Sequence, residues 1–226
     1  MEELNKEQIL VLNLCLGDGH LKKDYTISFV HSPKQLDYLN YKKELLEKTE
    51  SFKRATGKKT IGIKSYITNF EGKSFLQYRY SLTKVSIVKP VYNLLVKNGK
   101  KTISENIIKY FNLQTLVFLM FDDGGEVRAK KRRYSIKRNI EYIYNEPPSY
   151  RLNTHSFSRE ENVLIIQWLK DMFQIEGKLY LNKERFIIRF NSKESLKIWN
   201  LIKSEVSKID SMKIKFSWSI QKYGLQ

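Results

Sequence analysis

Two aspartates, Asp18 and Asp123, occupy positions where a protein can hold a divalent metal ion. Each lies just past an apolar segment, residues 7–16 (EQILVLNLCL) or 113–121 (LQTLVFLMF), and precedes a glycine, which is typical of a helix end. A carboxylate there lies beside unpaired carbonyl oxygens and the negative end of the helix dipole, so it attracts a hard cation. Oxygen ligands suit Mg²⁺, which keeps positions open for water and a phosphate oxygen when few protein groups bind it. The chemistry that these residues indicate is phosphodiester hydrolysis.

The segments that follow the two aspartates repeat along the chain. Each aspartate is followed by strand-like residues and then a helix start, Ser32-Pro33 in the first copy and a Ser158/Glu161 capping box in the second. Strand patterns come next, at residues 60–68 and 74–83 in the first copy and at residues 178–182 and 185–191 in the second. Each copy closes on a helix with a similar pentad, VYNLL or IWNLI, which begins 73 or 75 residues after its aspartate. The aspartates therefore occupy equivalent places in a duplicated unit.

The repeat predicts an α+β fold made of two tandem αββαββα units. We expect residues 1–98 to form the first subdomain, residues 99–112 a linker and residues 113–226 the second subdomain. Each unit should have an antiparallel sheet with helices on one face and a polar face left open. If the two apolar helices pack side by side about a pseudo-twofold axis, Asp18 and Asp123 lie close together.

The charge of the chain predicts a polyanionic partner. Its 41 Lys and Arg against 24 Asp and Glu give a net charge of +17. Alternation along the strands predicts which polar residues face double-stranded DNA, and a dense basic stretch at residues 126–139 predicts a basic ribbon beside them. The candidate DNA-binding residues are Lys64, Tyr66, Gln77, Arg79, Ser81, Arg128, Lys130, Arg132, Lys137, Arg185 and Arg189.

Other features narrow the function classes. The longest apolar runs are too short to span a bilayer, and the N-terminus lacks the layout of a secretion signal, so we expect no membrane partner. The single cysteine, Cys15, excludes an internal disulfide framework and is expected to be buried in a protein of a reducing, intracellular compartment. The three histidines show no metal-ligand spacing, and we expect them at the surface or in polar contacts.

Residues 11–19 (VLNLCLGDG) and 116–124 (LVFLMFDDG) resemble the two signature segments of single-chain LAGLIDADG homing endonucleases. The flanking segments GKKTI, LNTHSFS and SMKIKF extend the resemblance through nearly the whole chain. It implies two saddle-shaped sheets over DNA, with the motif helices at the interface between the subdomains. It also implies an intron-encoded, monomeric enzyme that uses Mg²⁺ to cut one phosphodiester on each strand, with Mn²⁺ expected to substitute.

The resemblance assigns roles to individual residues. Asp18 and Asp123 fall on the family's metal-binding acids, and Gly17 and Asp122 fall on the preceding residues, whose carbonyls help to bind metal. The basic residue near each active site falls on Lys101 in the first copy. Lys215 is its best counterpart in the second copy, with Lys213 the next choice.

Two departures from the family pattern bear on geometry. The second and third motif positions, usually small for close helix approach, are Leu12, Asn13, Val117 and Phe118. The contrast of Gly17 with Asp122 makes the two sites unequal, so different cutting rates are expected.

Two other functions stay open from the sequence. One is an intron maturase, an RNA-splicing cofactor on the same fold whose partner is intron RNA. The other is a basic nucleic-acid-binding protein in which the Asp-Gly pairs merely end helices.

Overall fold

The computed structural model describes residues 3–55, 61–128 and 130–225. The chain is 47% helical and 26% strand, with antiparallel sheets, which confirms the α+β prediction. In the described part, every helix is too short or too polar to cross a bilayer.

The first half builds one four-stranded sheet, in the order β1-β2-β4-β3, with helices against one side. Its elements are α1 (Lys6–Leu16), β1 (His20–Leu21), β2 (Ile27–His31), α2 (Leu36–Glu47), α3 (Glu50–Ala55), β3 (Lys64–Phe70), β4 (Lys73–Leu82) and α4 (Val88–Leu95). The strand predicted at 60–68 thus begins at Lys64, and Thr60 lies outside the described residues.

The segment predicted as a linker carries short elements of its own. Within residues 99–112 these are β6 (Lys100–Lys101) and α5 (Glu105–Ile108). Strand β6 pairs with β5 (Val96–Lys97), which lies just before the predicted linker. The division at residues 98 and 113 stays a prediction.

The second half builds a sheet of the same plan, in the order β11-β12-β10-β7. Its elements are α6 (Leu113–Asp122), β7 (Gly124–Val127), β8 (Lys130–Ser135), β9 (Ile140–Asn145), β10 (Ser149–Leu152), α7 (Arg159–Phe173), β11 (Lys178–Asn182), β12 (Arg185–Phe190), α8 (Ser192–Val206), α9 (Asp210–Lys215) and α10 (Ser217–Tyr223). In both halves a hairpin supplies the edge strand and its neighbour. Strands β8 and β9 pair with each other in a two-stranded ribbon, and β8 lies within the predicted basic stretch at residues 126–139.

The two helix starts predicted from capping residues differ in how their caps are built. The Ser158/Glu161 capping box is present at α7, as predicted. At Ser32-Pro33 the predicted N-cap position and the proline of the first turn are both present, but Ser32 makes no side-chain cap bond and the first turn is a 3-10 turn, Pro33–Gln35, that precedes α2. The Ser32 carbonyl accepts from the Gln35 N–H at 2.9 Å, so the chain closes a tighter first turn before the α-helix begins.

Helices α1 and α6 pack against each other at the centre of the molecule. Helix α6 is buried on nearly all sides, as its apolar sequence requires. The larger residues at the motif's second and third positions fit this interface, since Leu12, Val117 and Phe118 are at most 3% exposed. Asn13 is also buried, and its Oδ1 accepts a hydrogen bond of 2.6 Å from the Thr115 hydroxyl. This buried hydrogen bond joins α1 to the first turn of α6.

Candidate metal and nucleic-acid site

Asp18 and Asp123 lie at neighbouring ends of the two central helices. The backbone N–H of Asp18 donates a 3.0 Å hydrogen bond to Oδ2 of Asp122, which places the end of α1 directly against the end of α6. The N–H of Asp123 completes α6 by donating to the Leu119 carbonyl at 2.9 Å. The duplication therefore brings the two predicted metal-binding acids into one cluster.

The electrostatics of the cluster favour a cation. Burial raises the pKa of Asp18, and the Asp122 charge raises it further. Burial, followed by the charges of Asp122 and Asp18, raises the pKa of Asp123 to about 7. Carboxylates that repel one another in a buried setting gain from a cation that binds them together.

Lys101 and Lys215 take equivalent positions at the two helix ends. Lys101 donates to the Gly17 carbonyl and lies 3.5 Å from the Leu16 carbonyl. Lys215 donates to the Phe121 carbonyl at 2.6 Å and the Asp122 carbonyl at 3.3 Å. Burial lowers the pKa of both lysines. Two ammonium groups thus contact the carbonyl oxygens predicted to help bind metal, and each carbonyl retains a second lone pair.

The alternative lysine, Lys213, lies elsewhere. It pairs with Asp210 at 2.8 Å and its side chain is 38% exposed. If the cluster hydrolyses a phosphodiester, as the sequence predicts, Lys215→Met should lower the cleavage rate by about 10- to 100-fold, the range seen when a partner of a metal site is removed. Lys213→Met, the matched control, should stay within about 2-fold of wild type because an exposed ion pair contributes little. Single-turnover cleavage assays measure both rates, and equal effects would argue against the assignment.

Asp122 belongs to a buried network that the sequence analysis missed. Its Oδ1 accepts from Lys42 Nζ and from the Tyr38 hydroxyl, both at 2.7 Å. The side chains of Lys42 and Asp122 have no exposed surface. Burial raises the pKa of Asp122, but the Lys42 charge and the hydrogen bonds from Lys42 and Tyr38 together outweigh it and hold that pKa below its ordinary value. The sequence did contain a signal for this buried lysine. Lys42 lies three residues after Leu39 and four before Leu46, which places it on the buried face of α2.

Close approach at this point requires glycine at position 17. A Cβ on Gly17 would lie 2.4 Å from the Cβ of Asp122, which is too close for two carbon atoms. Gly17 and Asp122 therefore fit each other as a pair, and the two helix ends differ in structure as well as in sequence.

His31 also lies in this cluster, against the expectation of a surface or polar-contact residue. It is 3% exposed, packs against Tyr38 with ring centroids 5.1 Å apart and ring planes tilted by 59°, and burial lowers its pKa to about 4. Ligand-type atoms of Asp18, His31 and Asp122 lie within 4.8 Å of one another. Lys42 already neutralises the Asp122 carboxylate, so the Asp122 side chain is a poor ligand for a further cation. The favoured oxygen ligands are the two other carboxylates and the helix-end carbonyls.

The raised pKa of Asp123 predicts a pH dependence of metal binding. Below pH 7 this carboxyl carries a proton that a metal ion must displace, so affinity should fall about 10-fold per pH unit. Calorimetric titration with Mn²⁺ in two buffers of different ionisation enthalpy measures the number of protons released on binding. Asp123 should release close to one proton at pH 6 and a smaller fraction of a proton at pH 8. Asp123→Asn should abolish this release, and equal wild-type affinities at pH 6 and 8 would contradict the prediction.

The predicted strand residues share the open face of their sheets. Tyr80 and Leu82 are buried on the helix side, at 0% and 3% exposed, and the residues between them face the opposite way. The pairing register places Lys64 opposite Arg79 and Tyr66 opposite Gln77. Residues on the open face of the first sheet are Lys64, Tyr66, Gln77, Arg79 and Ser81, and those on the second are Arg185 and Arg189.

A row of cations on the second sheet went unpredicted. Arg189 lies between Arg151 on β10 and Lys178 on β11. Like charges directly opposite on a sheet are destabilising unless an anion lies nearby, so this row favours a bound polyanion. Alternation in β11 was a usable signal for Lys178, but β10, with four residues, is too short to show a pattern around Arg151.

The basic ribbon carries the other candidates. Lys130 and Arg132 lie on β8, and Lys137 lies in a 3-10 turn, Ile136–Arg138, at its tip; all three are exposed. Arg128 is held at the base of the ribbon, where it donates to the Ser217 hydroxyl at 2.7 Å and stacks over Trp218. The ribbon therefore extends the basic surface beyond the two sheets.

Comparisons with known proteins agree with this geometry. The sequence profile of the LAGLIDADG DNA endonuclease family matches residues 10–198. The solved structure of the homing endonuclease I-WcaI bound to its DNA recognition sequence is similar, with a TM-score of 0.68 and 21% identity over 95% of this chain and 88% of that chain. The structure of I-SmaMI bound to an uncleaved DNA target in the presence of calcium ions matches with a TM-score of 0.50 and 10% identity, over 99% of this chain and 94% of that chain.

Proposed function

Because the chain belongs to the LAGLIDADG DNA endonuclease family, we propose that it is a homing endonuclease that hydrolyses one phosphodiester on each strand of a specific DNA site. The observation that carries this proposal is the position of Asp18 and Asp123 at adjoining helix ends, one from each half of a duplicated scaffold. Open basic sheet faces in both halves supply the surface for duplex DNA. The similarly folded I-WcaI is bound to its DNA recognition sequence, which supports the same kind of partner here.

The donor set fits a divalent cation of the Mg²⁺ type. Asp18 and Asp123 offer carboxylates whose pKa values are raised by burial and by the nearby Asp122 charge, an unfavourable setting that a bound cation would relieve. The carbonyls of Gly17 and Asp122 add further hard oxygen ligands, and Mn²⁺ accepts the same ligands. When bound, such an ion supplies a Lewis acid that stabilises charge on a phosphate undergoing hydrolysis.

The chain's own residues provide the rest of the site. Lys101 and Lys215 hold the helix-end carbonyls in place and add positive charge beside the acids, where a phosphate would otherwise be repelled. The sheet residues bind the duplex on either side and so position one phosphodiester of each strand. Since one chain contributes both acids and both lysines, a monomer is sufficient for cutting both strands.

A cleavage screen tests the proposal. Purified protein is incubated with a library of randomised duplexes and with Mg²⁺, Mn²⁺ or EDTA, and the cut ends are sequenced. The proposal predicts double-strand cuts within one recognisable sequence family, with either metal and none in EDTA. Absence of cleavage at any sequence with either metal, by protein that binds DNA and melts cooperatively, would overturn it.

A further inference from the structure

The open faces of the two sheets carry the same three side chains in the same register. The first triad is Lys64, Tyr66 and Arg79, and the second triad is Lys178, Tyr180 and Arg189. In each, the lysine lies directly opposite the arginine, and the tyrosine follows two residues after the lysine on the same strand. The duplication has therefore preserved a surface arrangement as well as the core.

The triads also occupy equivalent strands. In both sheets the lysine and tyrosine lie on the edge strand, β3 or β11, and the arginine lies on the neighbouring strand, β4 or β12. The two sheets have the same strand order and belong to halves that meet at α1 and α6. A duplex lying across both sheets would meet the two triads at equivalent places on its two half-sites.

The arginine of each triad contacts the ring of the tyrosine in the same triad. The guanidinium carbon of Arg79 lies 4.5 Å from the ring centre of Tyr66, and that of Arg189 lies 4.8 Å from the ring centre of Tyr180. This cation–π contact restricts the arginine side chain and reduces the entropy lost when it binds. Both arginines are exposed, and among the described residues the structure gives neither a hydrogen bond nor an ion pair to a protein acceptor. Each arginine lies directly opposite a lysine, and the repulsion between the two cations favours binding of an anionic ligand that is rich in hydrogen-bond acceptors.

We propose that Arg79 and Arg189 each read a guanine, at base pairs related by an inverted repeat in the two half-sites of the target. The inference rests on the proposed function and names the base preference of that same DNA surface. A planar guanidinium donates two parallel hydrogen bonds to O6 and N7 of guanine in the major groove, a pattern that only this base presents. Lys64 and Lys178, beside the arginines, contact phosphates and carry no base preference.

The neighbouring position should break the symmetry of the target. Gln77 lies opposite Tyr66, and its amide can pair with adenine at N6 and N7. Its equivalent in the second half, Ile187, lies opposite Tyr180, is fully buried and has no polar side-chain group. The first half-site should therefore prefer adenine next to its guanine, and the second half-site should tolerate several bases there.

Selection from a randomised duplex library tests the proposal by binding and by cleavage separately. Binding is selected in Ca²⁺, and cleavage in Mg²⁺. Wild type should enrich guanines on opposite strands at equal distances from the centre of the site. Arg79→Ala should remove the preference at one of them and Arg189→Ala at the other, each by about 5- to 150-fold, the discrimination of one bidentate contact.

Two controls separate base reading from general effects. Arg159→Ala removes an exposed arginine at the start of α7, off both sheets, and should leave all preferences unchanged. Lys64→Ala should weaken binding to all sequences alike and reduce its salt dependence. Symmetric guanines in the binding selection with no cleavage in Mg²⁺ would uphold the inference and overturn the proposed function. A bound or cut consensus without the guanine pair, or one unchanged in Arg79→Ala and Arg189→Ala, would overturn the inference.

Discussion

Asp18→Asn and Asp123→Asn should each lower the rate of double-strand cleavage by at least about 10³-fold. Under the proposed function each substitution removes a charged metal ligand, and a metal ion contributes several kcal/mol of transition-state stabilisation, of which about 4 kcal/mol corresponds to 10³-fold. DNA affinity in Ca²⁺-free buffer should not fall, since neither carboxylate attracts phosphate. Single-turnover cleavage of the selected target, with a separate binding titration, measures the two quantities.

An exposed carboxylate supplies the matched control for these variants. Asp171 lies on the exposed side of α7, where its carboxylate accepts a hydrogen bond from Gln167, and Asp171→Asn should cut like wild type. If Asp18→Asn and Asp123→Asn also cut within about 3-fold of wild type, the aspartates merely end helices. Cleavage would then come from a site other than this cluster.

Lys42→Met should destabilise the protein by about 3–5 kcal/mol. The substitution leaves the buried Asp122 carboxylate without its cation, and an uncompensated buried charge is costly to the folded state. The Tyr38 hydroxyl and the Asp18 N–H would remain as donors to that carboxylate, but neither carries charge. Urea unfolding followed by circular dichroism measures the free energy of unfolding.

A second substitution distinguishes loss of the ion pair from poor packing of methionine. In Lys42→Met/Asp122→Asn the amide oxygen can accept from the Asp18 N–H while the amide nitrogen donates to the Tyr38 oxygen, so no buried charge remains. This double variant should recover at least half of the lost stability. Lys208→Met, which removes an exposed ion pair with Glu205, should cost no more than about 1 kcal/mol. A double variant as unstable as Lys42→Met would show that packing, not charge, causes the loss.

The duplicated fold could be predicted because local sequence patterns indicate each of its elements. Apolar helices that end in Asp-Gly, a Ser158 capping box and strand alternation each follow from short-range physical preferences, and their repetition relates Asp18 to Asp123. The exposed faces of Arg79 and Arg189 follow from the same alternation. The preference for Lys215 over Lys213 came from the resemblance, and the structure adds a geometric reason, since both lie on α9 but Lys215 donates to the end of α6.

The buried network around Asp122 could not be predicted from these local patterns, because its residues come from both halves of the chain. Asp122 belongs to the second motif, whereas Tyr38 and Lys42 come from α2 of the first half, so no local spacing relates them. His31 lies on the helix-facing side of β2, and only the packing of α2 brings it to the cluster. The Lys178 and Arg151 row likewise depends on strand register, which alternation alone does not supply.

Crystals of the wild-type protein grown with Mn²⁺ and a non-cleavable target duplex give the most direct test of how the site is built. Data collected at the manganese absorption edge locate each ion independently of phase bias. The account predicts anomalous peaks within about 2.5 Å of carboxylate oxygens of both Asp18 and Asp123, beside one phosphate of each strand. Peaks held instead by His31 and the Asp122 side chain, or none at either aspartate, would contradict it.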